Sequence, residues 1–254
     1  MHQLKNMPDK EWYKDWFSSP YYDLLYQNRD TDEAWQFIKR LVDYLNAKPG
    51  DKMLDVACGK GRHSRSLYEA GFDVTGIDLA MRVIEEAKHF ETDRLHFFQH
   101  DMRLPFRINY FDFAFNFFTS FGYFRTDREH DNAIRTIAQS LNSKGLFVID
   151  YLNTHYAEDH LVKSELKKID AISFHISRWQ NDTHFFKQIQ IEDNGHLLKH
   201  LFTERVAKFS LGDLTDMLAY QGMQVQEVFG DYQLNHYDIR KSPRMIIIAR
   251  KSHR

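Results

Sequence analysis

The stretch Lys52–Ser64, KMLDVACGKGRHS, decides how the rest of the chain can fold. It begins with a short apolar run, which is typical of a buried strand. Gly59 and Gly61 follow, and glycine lets a backbone pass close to a ligand because it has no Cβ. A helix that starts directly after such a turn presents its free N–H groups to that ligand. The stretch therefore predicts a strand, a glycine turn and a helix that together bind a nucleotide or nucleoside.

Composition limits the remaining possibilities. The chain has 254 residues, of which 43% are hydrophobic, which is enough for one substantial core with a small appendage. A net charge of −2 gives no attraction toward nucleic acid or an anionic membrane, so we expect neither as a partner. The single cysteine, Cys58, excludes an internal disulfide and is typical of a reducing compartment. No apolar run has the length of a signal-peptide core or a membrane span, so we expect a cytoplasmic protein.

Strands and helices alternate from Lys52 to Tyr151. Apolar runs such as Phe111–Phe118 and Leu146–Ile149 indicate strands that are buried on both faces. Strands of this kind form a parallel sheet covered by helices, and ligands bind at the carboxyl ends of its strands. The predicted elements are strand 52–57, helix 62–70, strand 72–77, helix 80–90, strand 94–98, strand 111–118, helix 126–140, a turn at 142–145 and strand 145–151.

Beyond Tyr151 the pattern changes to alternating apolar and polar residues separated by turn sequences such as Asp193-Asn194-Gly195. Alternation indicates strands with one exposed face, and such turns connect antiparallel neighbours. We therefore predict a three-stranded antiparallel insertion, followed by a helix and two strands that complete the main sheet. These elements are strands 171–179, 184–192 and 197–208, helix 211–221, and strands 223–229 and 244–250.

The N-terminal region is rich in aromatic side chains between residues 12 and 26. So many rings cannot all be exposed to solvent. We expect one or two short helices here that lie over the mouth of the main domain, followed by an amphipathic helix that ends at Pro49-Gly50. The insertion would serve as a lid or as the surface of a homodimer. The predicted domains are a helical cap (1–48), a main ligand-binding domain (49–155 and 209–254) and the antiparallel insertion (156–208).

Two common glycine-rich sites do not fit the turn. A dinucleotide fingerprint needs G-x-G-x-x-G, but Ser64 stands where the third glycine should be, and a register that starts at Ala57 puts Arg62 there. The phosphate-loop pattern G-x-x-x-x-G-K-[ST] is absent. A nicotinamide-dependent oxidoreductase is therefore disfavoured.

Four segments in order fit a different pattern. They are LDVACGKGRHS (54–64), GIDLA (76–80), QHDMRLPF (99–106) and FDFAFNFFTSFGYF (111–124). Over residues 52–151 the chain resembles class I S-adenosylmethionine (SAM) methyltransferases. The resemblance implies an α/β fold with a seven-stranded Rossmann-like sheet, parallel except for one strand. It also implies SAM as cofactor, with S-adenosylhomocysteine as the product.

The resemblance assigns residues to the cofactor. Asp78, at the end of the second strand, would accept hydrogen bonds from both ribose hydroxyls, because a carboxylate has two acceptor oxygens. Leu79 and Met81 would pack on the adenine. The residues of the first segment that it assigns to cofactor binding are Asp55, Ala57, Cys58, Gly59 and Gly61, with Asp55 anchoring the loop and Ala57 replacing the family's first glycine.

The third and fourth segments complete the predicted site. Asp101 would accept a hydrogen bond from the adenine exocyclic amine, and Met102 would supply a backbone amide. Asn116 and Phe117, at the end of the fourth strand, would lie beside the sulfonium.

The resemblance points to one branch of these methyltransferases. The segments look like the small-molecule branch that includes N-methyltransferases of amino sugars and of glycine-type amines. Enzymes of that branch carry a tyrosine near the methionine end of SAM in an N-terminal cap, and Tyr26 of YYDLLYQNR (21–29) matches it. Tyr123 stands where some sugar N-methyltransferases have a histidine proposed as a base. The sequence at 116–118 is not the Asn-Pro-Pro-Tyr type of motif used on nucleic-acid amines, so such acceptors are disfavoured.

These residues suggest a mechanism. SAM carries an activated methyl group, so the protein mainly supplies positioning for an in-line displacement. Tyr123 is the candidate catalytic residue that accepts or orients the proton of the nucleophile, and Asn153 is a candidate substrate contact. We predict methyl transfer to a small-molecule amine or hydroxyl. The alternative is a non-catalytic SAM-binding protein with the same fold.

The histidines invite a metal interpretation, which the pattern does not favour. His96 and His100 are four residues apart, as are His196 and His200, but all fall on predicted strands or loops. No cysteine or carboxylate cluster accompanies either pair, so we expect no metal.

Overall fold

The computed structural model describes residues 12–27 and 31–252. Within these residues the chain divides into two compact units. The insert unit comprises residues 12–27 and 158–208, and the main unit comprises residues 31–157 and 209–252.

The helices are short except for two in the main unit. No helix in the described part of the chain combines the length and apolarity needed to cross a membrane. In chain order the helices are α1 (Trp12–Phe17), α2 (Pro20–Leu25), α3 (Thr31–Tyr44), α4 (Arg62–Glu69), α5 (Met81–Ala87, extended by a 3-10 turn at Lys88–Phe90), α6 (Asp127–Ser140), α7 (Thr154–Asp159) and α8 (Leu211–Tyr220).

The strands form one sheet in each unit. In chain order they are β1 (Lys52–Val56), β2 (Asp73–Asp78), β3 (Leu95–Gln99), β4 (Phe111–Asn116), β5 (Leu141–Leu152), β6 (Ser164–Ile169), β7 (Ile172–Gln180), β8 (His184–Asp193), β9 (His196–Ala207), β10 (Met223–Phe229) and β11 (Arg244–Lys251).

The main unit contains a seven-stranded sheet in the order β10-β11-β5-β4-β1-β2-β3. The strands pair in parallel from β5 to β3, whereas β11 runs antiparallel to both β5 and β10. The predicted sheet, parallel with one antiparallel strand, is confirmed. Because the strand order reverses beside β1, a crevice is expected at the carboxyl ends of β1 and β4.

Burial explains why these segments form the sheet. Leu54, Phe115 and Val148, from three neighbouring strands, are at most 1% exposed, as expected for strands covered on both faces. Helix α3 contributes an apolar stripe to the same core, with Phe37 and Leu41 also at most 1% exposed. Helix α3 and the central strands therefore share one core.

Two helices begin with capping boxes. At α6 the Thr126 side chain accepts from the Glu129 N–H, and Glu129 accepts from the Thr126 N–H. Ser210 and Asp213 form the same arrangement at α8.

The insert unit contains a four-stranded antiparallel sheet in the order β6-β7-β8-β9, so the prediction of three strands is wrong. The missed strand is β6, whose sequence SELKKI has little apolar alternation because it is an exposed edge. The turn at Asp193-Asn194-Gly195 is confirmed: Asn194 and Gly195 both have positive φ, which a tight hairpin of this type requires.

One predicted turn is part of a strand. Residues 142–145 lie within β5, although the register of β4 against β5 shifts at this point. Lys144 adopts φ 67°, and the Asn142 side chain donates to Asp112 Oδ1 at 2.8 Å. The turn-forming residues therefore produce an irregularity that the strand continues through.

Helix α3 belongs to the main unit, whereas the predicted cap extends to residue 48. Its apolar stripe packs into the core beneath the sheet, which explains the grouping. Strand β4 ends at Asn116, two residues before the predicted end, because Phe118 and Thr119 leave the extended conformation.

Candidate functional site

The loop between β1 and α4 contains three left-handed residues: Ala57 (φ 60°), Gly59 (φ 55°) and Gly61 (φ 78°). A side chain has no room at Gly61, since a Cβ there would lie 2.5 Å from Cζ of the buried Phe97 ring. A Cβ at Gly59 would instead point into open space. The loop thus packs on the core at one glycine and remains approachable at the other.

Asp78 lies beside this loop at the end of β2. Its Oδ2 accepts from the Gly59 N–H and its Oδ1 from the Ala80 N–H, both at 2.9 Å. Burial raises the pKa of Asp78, and the backbone hydrogen bonds act in the opposite direction. Because each carboxylate oxygen has a second lone pair, the side chain is fixed in orientation and can still accept from a diol.

Asp55 is a buried carboxyl within β1, and Ser64 Oγ donates to its Oδ2 at 2.6 Å. Burial raises the pKa of Asp55 to about 7; the charge of Asp78 adds to the rise, whereas the Ser64 hydrogen bond opposes it. The hydrogen bond ties β1 to the first turn of α4. The site therefore contains a group whose charge changes near neutral pH.

Cys58 joins the loop to β2, because its N–H donates to the Ile77 carbonyl at 3.0 Å. Burial raises the pKa of its thiol well above the usual value, so the side chain is a neutral packing group. Sγ would lie 2.9 Å from a Cβ at Gly76, which shows how closely the loop packs on β2.

Leu79 and Met81 follow Asp78 and lead into α5. The Leu79 carbonyl accepts from Gln99 Nε2 at 3.1 Å, which ties this segment to the end of β3. The Met81 side chain is 48% exposed. It offers apolar surface that an aromatic ligand would favourably remove from water.

Asp101, after β3, is held by Arg103. The guanidinium contacts Oδ2 through Nη2 at 2.6 Å and Oδ1 through Nε at 3.0 Å. Burial opposes ionisation, but the bonds from Arg103 outweigh it and lower the pKa of Asp101. Arg103 Nη1 also contacts Glu129 Oε1 at 2.6 Å, so Asp101 is connected to the start of α6. No local sequence pattern predicts this connection, since Glu129 lies 26 residues beyond Arg103.

Met102 is anchored in the same region, because its carbonyl accepts from the Thr136 hydroxyl on α6. Its side chain is half-buried.

Asn116 ends β4 and is 1% exposed. Its Nδ2 donates to the Val56 carbonyl at 3.0 Å, which distinguishes the amide nitrogen from the oxygen. Asn116 Oδ1 is buried and has no hydrogen-bond partner among the described residues. A buried acceptor without a partner is costly, so the atom marks a position where a ligand donor would be favoured.

Phe117, the next residue, is buried in an aromatic stack. Its ring centroid lies 5.3 Å from Phe115 and 4.7 Å from His63. The stack fixes the backbone just beyond Asn116.

A known family matches the sequence that forms this region. The family model described as a methyltransferase domain matches residues 47–190, which include every predicted site residue except Tyr26. The chain belongs to this methyltransferase family. It is a SAM-dependent methyltransferase of class I, as the sequence resemblance predicts.

Two named relatives and one solved structure are similar to this methyltransferase. A protein of Geobacillus sp. (strain WCH70), named as a candidate methyltransferase, is 26% identical over 91% of this chain and 97% of its own length. The dTDP-3-amino-3,4,6-trideoxy-alpha-D-glucopyranose N,N-dimethyltransferase of Streptomyces venezuelae is 31% identical over 51% of this chain and 54% of its own. The structure of a SAM-dependent methyltransferase from Clostridium acetobutylicum ATCC 824 covers 92% of this chain and 96% of its own, with a TM-score of 0.76 and 16% identity.

Tyr123 of the methyltransferase is half-buried in the segment after β4. Its phenol is close enough to Tyr151 and Arg244 to influence the pKa of both. Neighbouring Gly122 has φ 92°, and a Cβ there would overlap the Tyr151 hydroxyl. The segment is thus packed tightly on β5, and the catalytic role of Tyr123 stays a prediction.

Tyr26 lies in the insert unit, whereas the other predicted site residues lie in the main unit. Its hydroxyl donates to Glu204 Oε1 at 3.2 Å and accepts from Lys187 Nζ. Lys187 and Glu204 are themselves 3.6 Å apart. The predicted contact of Tyr26 with the methionine end of SAM stays a prediction.

Asn153 has a structural partner set. Its Nδ2 donates to the carbonyls of Ser242 at 2.8 Å and Ile239 at 2.9 Å, which uses both amide hydrogens. The side chain therefore holds the 239–242 turn, and its predicted substrate contact stays a prediction.

Among the described residues, no three histidine, cysteine or carboxylate side chains lie together as a metal site would require.

Proposed function

We propose that this methyltransferase binds SAM at the carboxyl ends of β1 to β4 and transfers its methyl group to an amine or hydroxyl of a small molecule. The observation that carries the proposal is the carboxylate of Asp78, oriented by the Gly59 and Ala80 N–H groups beside a left-handed loop. A carboxylate in this setting suits a ribose diol, because two acceptor oxygens are held in fixed directions.

Further features fit SAM in particular. The bound ligand would be a cation at sulfur, and the carboxylate of Asp78 beside the loop would attract it. The partnerless Asn116 Oδ1 would gain a donor from the methionine end of the ligand. The open space beside Gly59 leaves the backbone free to approach the ligand.

The chemistry needs little from the protein beyond positioning. When bound, SAM supplies a methyl group on a positively charged sulfur, which is already activated toward a nucleophile. The residues after β4 would hold the acceptor in line with that methyl group. Tyr123 would accept a hydrogen bond from the nucleophile or orient its proton.

An amine is the favoured acceptor of the two. The named relative from Streptomyces venezuelae is an N,N-dimethyltransferase of an amino sugar, and it matches about half of this chain. A neutral amine is a good nucleophile without a strong base, which agrees with a tyrosine at position 123. A hydroxyl acceptor would place a greater demand on that tyrosine.

Substitution of Asp78 tests the cofactor site. We expect Asp78→Ala to weaken SAM binding on the order of 100-fold, because two charge-assisted hydrogen bonds are lost. Asp73→Ala is the matched control, since Asp73 begins the same strand at its opposite end. Isothermal titration of both variants with SAM measures the effect. Wild-type affinity in the Asp78 variant would overturn the site assignment.

Turnover tests the reaction. Wild-type protein is incubated with SAM and a panel of amino sugars, small amines and phenols, and S-adenosylhomocysteine release is measured. Methylation of an amine supports the proposal in its favoured form. SAM binding without turnover on any acceptor would favour a non-catalytic SAM-binding protein. Stabilisation by NAD alone would contradict both.

A further inference from the structure

A buried ion pair lies across β5 and β11, formed by two residues that are not among the predicted cofactor contacts. Asp150 is fully buried, and Arg244 reaches its Oδ1 through Nη2 at 2.6 Å and Nε at 2.7 Å. Burial opposes the charge on Arg244, but the carboxylate of Asp150 prevails and raises the pKa of the guanidinium. Neither residue stands in the segments that carry the family resemblance.

The pair forms hydrogen bonds with the segment that follows β4. Asp150 Oδ2 accepts from the Phe118 N–H at 2.8 Å, and the Asp150 carbonyl accepts from the Thr119 N–H at 2.9 Å. Arg244 Nη2 donates to Thr119 Oγ1 at 2.9 Å. Tyr232 adds a further donor to Asp150 Oδ2 at 3.1 Å.

Phe118 and Thr119, the residues bound by the pair, have an unfavourable backbone conformation. Phe118 and Thr119 adopt φ 57° and 56°, in the left-handed region that residues other than glycine rarely occupy. A β-branched residue such as Thr119 is especially disfavoured there. Strained backbone of this kind persists only where its surroundings determine it, and it concentrates at functional sites.

The strained segment directly follows the residues proposed to face the sulfonium. Asn116 is anchored through Nδ2 to the Val56 carbonyl, and its buried Oδ1 has no partner among the described residues. An extended continuation through Phe118 would carry the chain onward along the sheet. The left-handed turn instead bends it back at the carboxyl end of β4.

We propose that Asp150 and Arg244 are positioning residues, which hold Phe118 and Thr119 left-handed and so fix Asn116 Oδ1 and Phe117 at the methyl-transfer end of the site. The inference rests on the proposed function. It predicts that the pair matters more for SAM, whose sulfur is cationic, than for S-adenosylhomocysteine, whose sulfur is neutral. A positioned oxygen stabilises a cation and its polarised C–H groups but contributes little to a thioether.

The experiment compares affinities for the two ligands in full-length variants. Arg244→Lys keeps the charge but cannot contact Asp150 and Thr119 together, since an ammonium lacks the fork of a guanidinium. We expect the ratio of SAM to S-adenosylhomocysteine affinity to fall at least fivefold. Arg250→Lys, an exposed arginine on the same strand, is the control and leaves the ratio unchanged.

Milder variants keep the test sharp if Arg244→Lys does not fold. Thr119→Val retains the β-branched shape but loses Oγ1, and Tyr232→Phe loses only the hydroxyl. We expect both to lower the ratio, Thr119→Ser to preserve it, and hydrogen exchange of the 117–119 amides to quicken whenever the ratio falls.

The outcomes separate the two proposals. A lower unfolding midpoint with an unchanged affinity ratio in these variants would show that the pair is only structural, and would overturn the inference while the proposed function stands. A wild-type chain that binds neither ligand would overturn the proposed function, and the inference with it.

Discussion

Ala57 shows, at the scale of one residue, what the loop after β1 demands. It occupies the position of the family's first glycine, yet it has φ 60°. Left-handed backbone costs a residue with a Cβ about 1–2 kcal/mol, whereas glycine adopts it freely. The surroundings of Ala57 therefore determine the loop conformation against the intrinsic preference of alanine.

The first prediction follows from this strain. We expect Ala57→Gly to stabilise the protein by about 0.5–1 kcal/mol, because the relief of strain exceeds the extra entropy of the unfolded chain. Urea unfolding measures the change. Ala70→Gly is the matched control. Because Ala70 has φ −75°, its replacement by glycine relieves no strain and should destabilise the protein by about 0.5–1 kcal/mol. Equal losses in both variants would contradict the expectation.

Asp55 gives a prediction about pH. Its pKa is raised from 3.8 to about 7 in the folded protein, chiefly by burial. The folded state therefore holds a proton that the unfolded state has lost, so this group's stabilising contribution is full below about pH 4 and disappears as pH rises to about 7. Asp55→Asn removes that dependence and should gain stability relative to wild type, by a few kcal/mol, as pH rises across this window. Urea unfolding across the window tests it, and a stability difference that stays constant with pH would contradict it.

Local sequence could predict some site residues and not their partners. Ala57, Asp78 and Asp101 each stand next to a strand end within a recognisable segment, so the chain order alone places them at one edge of the sheet. Arg244 and Glu129 reach the site from strands and helices that are remote in sequence. Their roles depend on which strands become neighbours, and no local pattern encodes that.

At the scale of elements, the two capping boxes are a natural comparison. Glu129 caps α6 and also contacts Arg103, which holds Asp101. Asp213 caps α8 with the same chemistry, and its described contacts stay within that cap. The cap of α6 is therefore coupled to the proposed adenine site, whereas the cap of α8 is not.

We expect Glu129→Ala and Asp213→Ala each to lower stability by about 0.5–1 kcal/mol, as loss of a cap does. Only Glu129→Ala should weaken SAM binding, by about fivefold or roughly 1 kcal/mol, because Arg103 and Asp101 lose a fixed partner. Titration with SAM alongside urea unfolding distinguishes the two effects. Equal SAM affinities in the two variants would show that the link through Arg103 carries no binding energy.

Elements were predictable where burial was strong. Strand β4 and helix α6 have continuous apolar or helical patterns, and the sequence places them within a few residues. Strand β6 has no such pattern, because an edge strand with exposed faces needs no apolar alternation. The bulge in β5 resembles a turn locally, but β5 pairs with β4 on both sides of it, at Phe111–Leu141 and at Phe113–Leu146, so the strand continues through it. Strand pairing in the folded protein determines both β6 and the continuity of β5, and a short stretch of sequence does not contain that information.

At the scale of the whole molecule, the main unit is interrupted in sequence but continuous in its core. The chain leaves it after Ala157 and returns at Phe209. The points of exit and return are adjacent, since Thr154 Oγ1 donates to the Phe209 carbonyl at 2.9 Å. A short connection can therefore replace residues 158–208 without stretching the sheet.

This adjacency gives the last prediction. A chain of residues 31–157 joined to 209–254 by a short glycine-serine linker should unfold cooperatively and bind SAM within about tenfold of wild type, because the residues proposed to hold SAM, other than Tyr26, lie in the main unit. It should not turn over the acceptor that the wild-type enzyme methylates, since the removed segments are the ones expected to cover that substrate. Titration and S-adenosylhomocysteine release measure the two properties. A cooperatively folded variant without SAM affinity would show that the insert unit contributes to the cofactor site, and Tyr26→Phe in the full chain would then test whether that contribution comes from Tyr26.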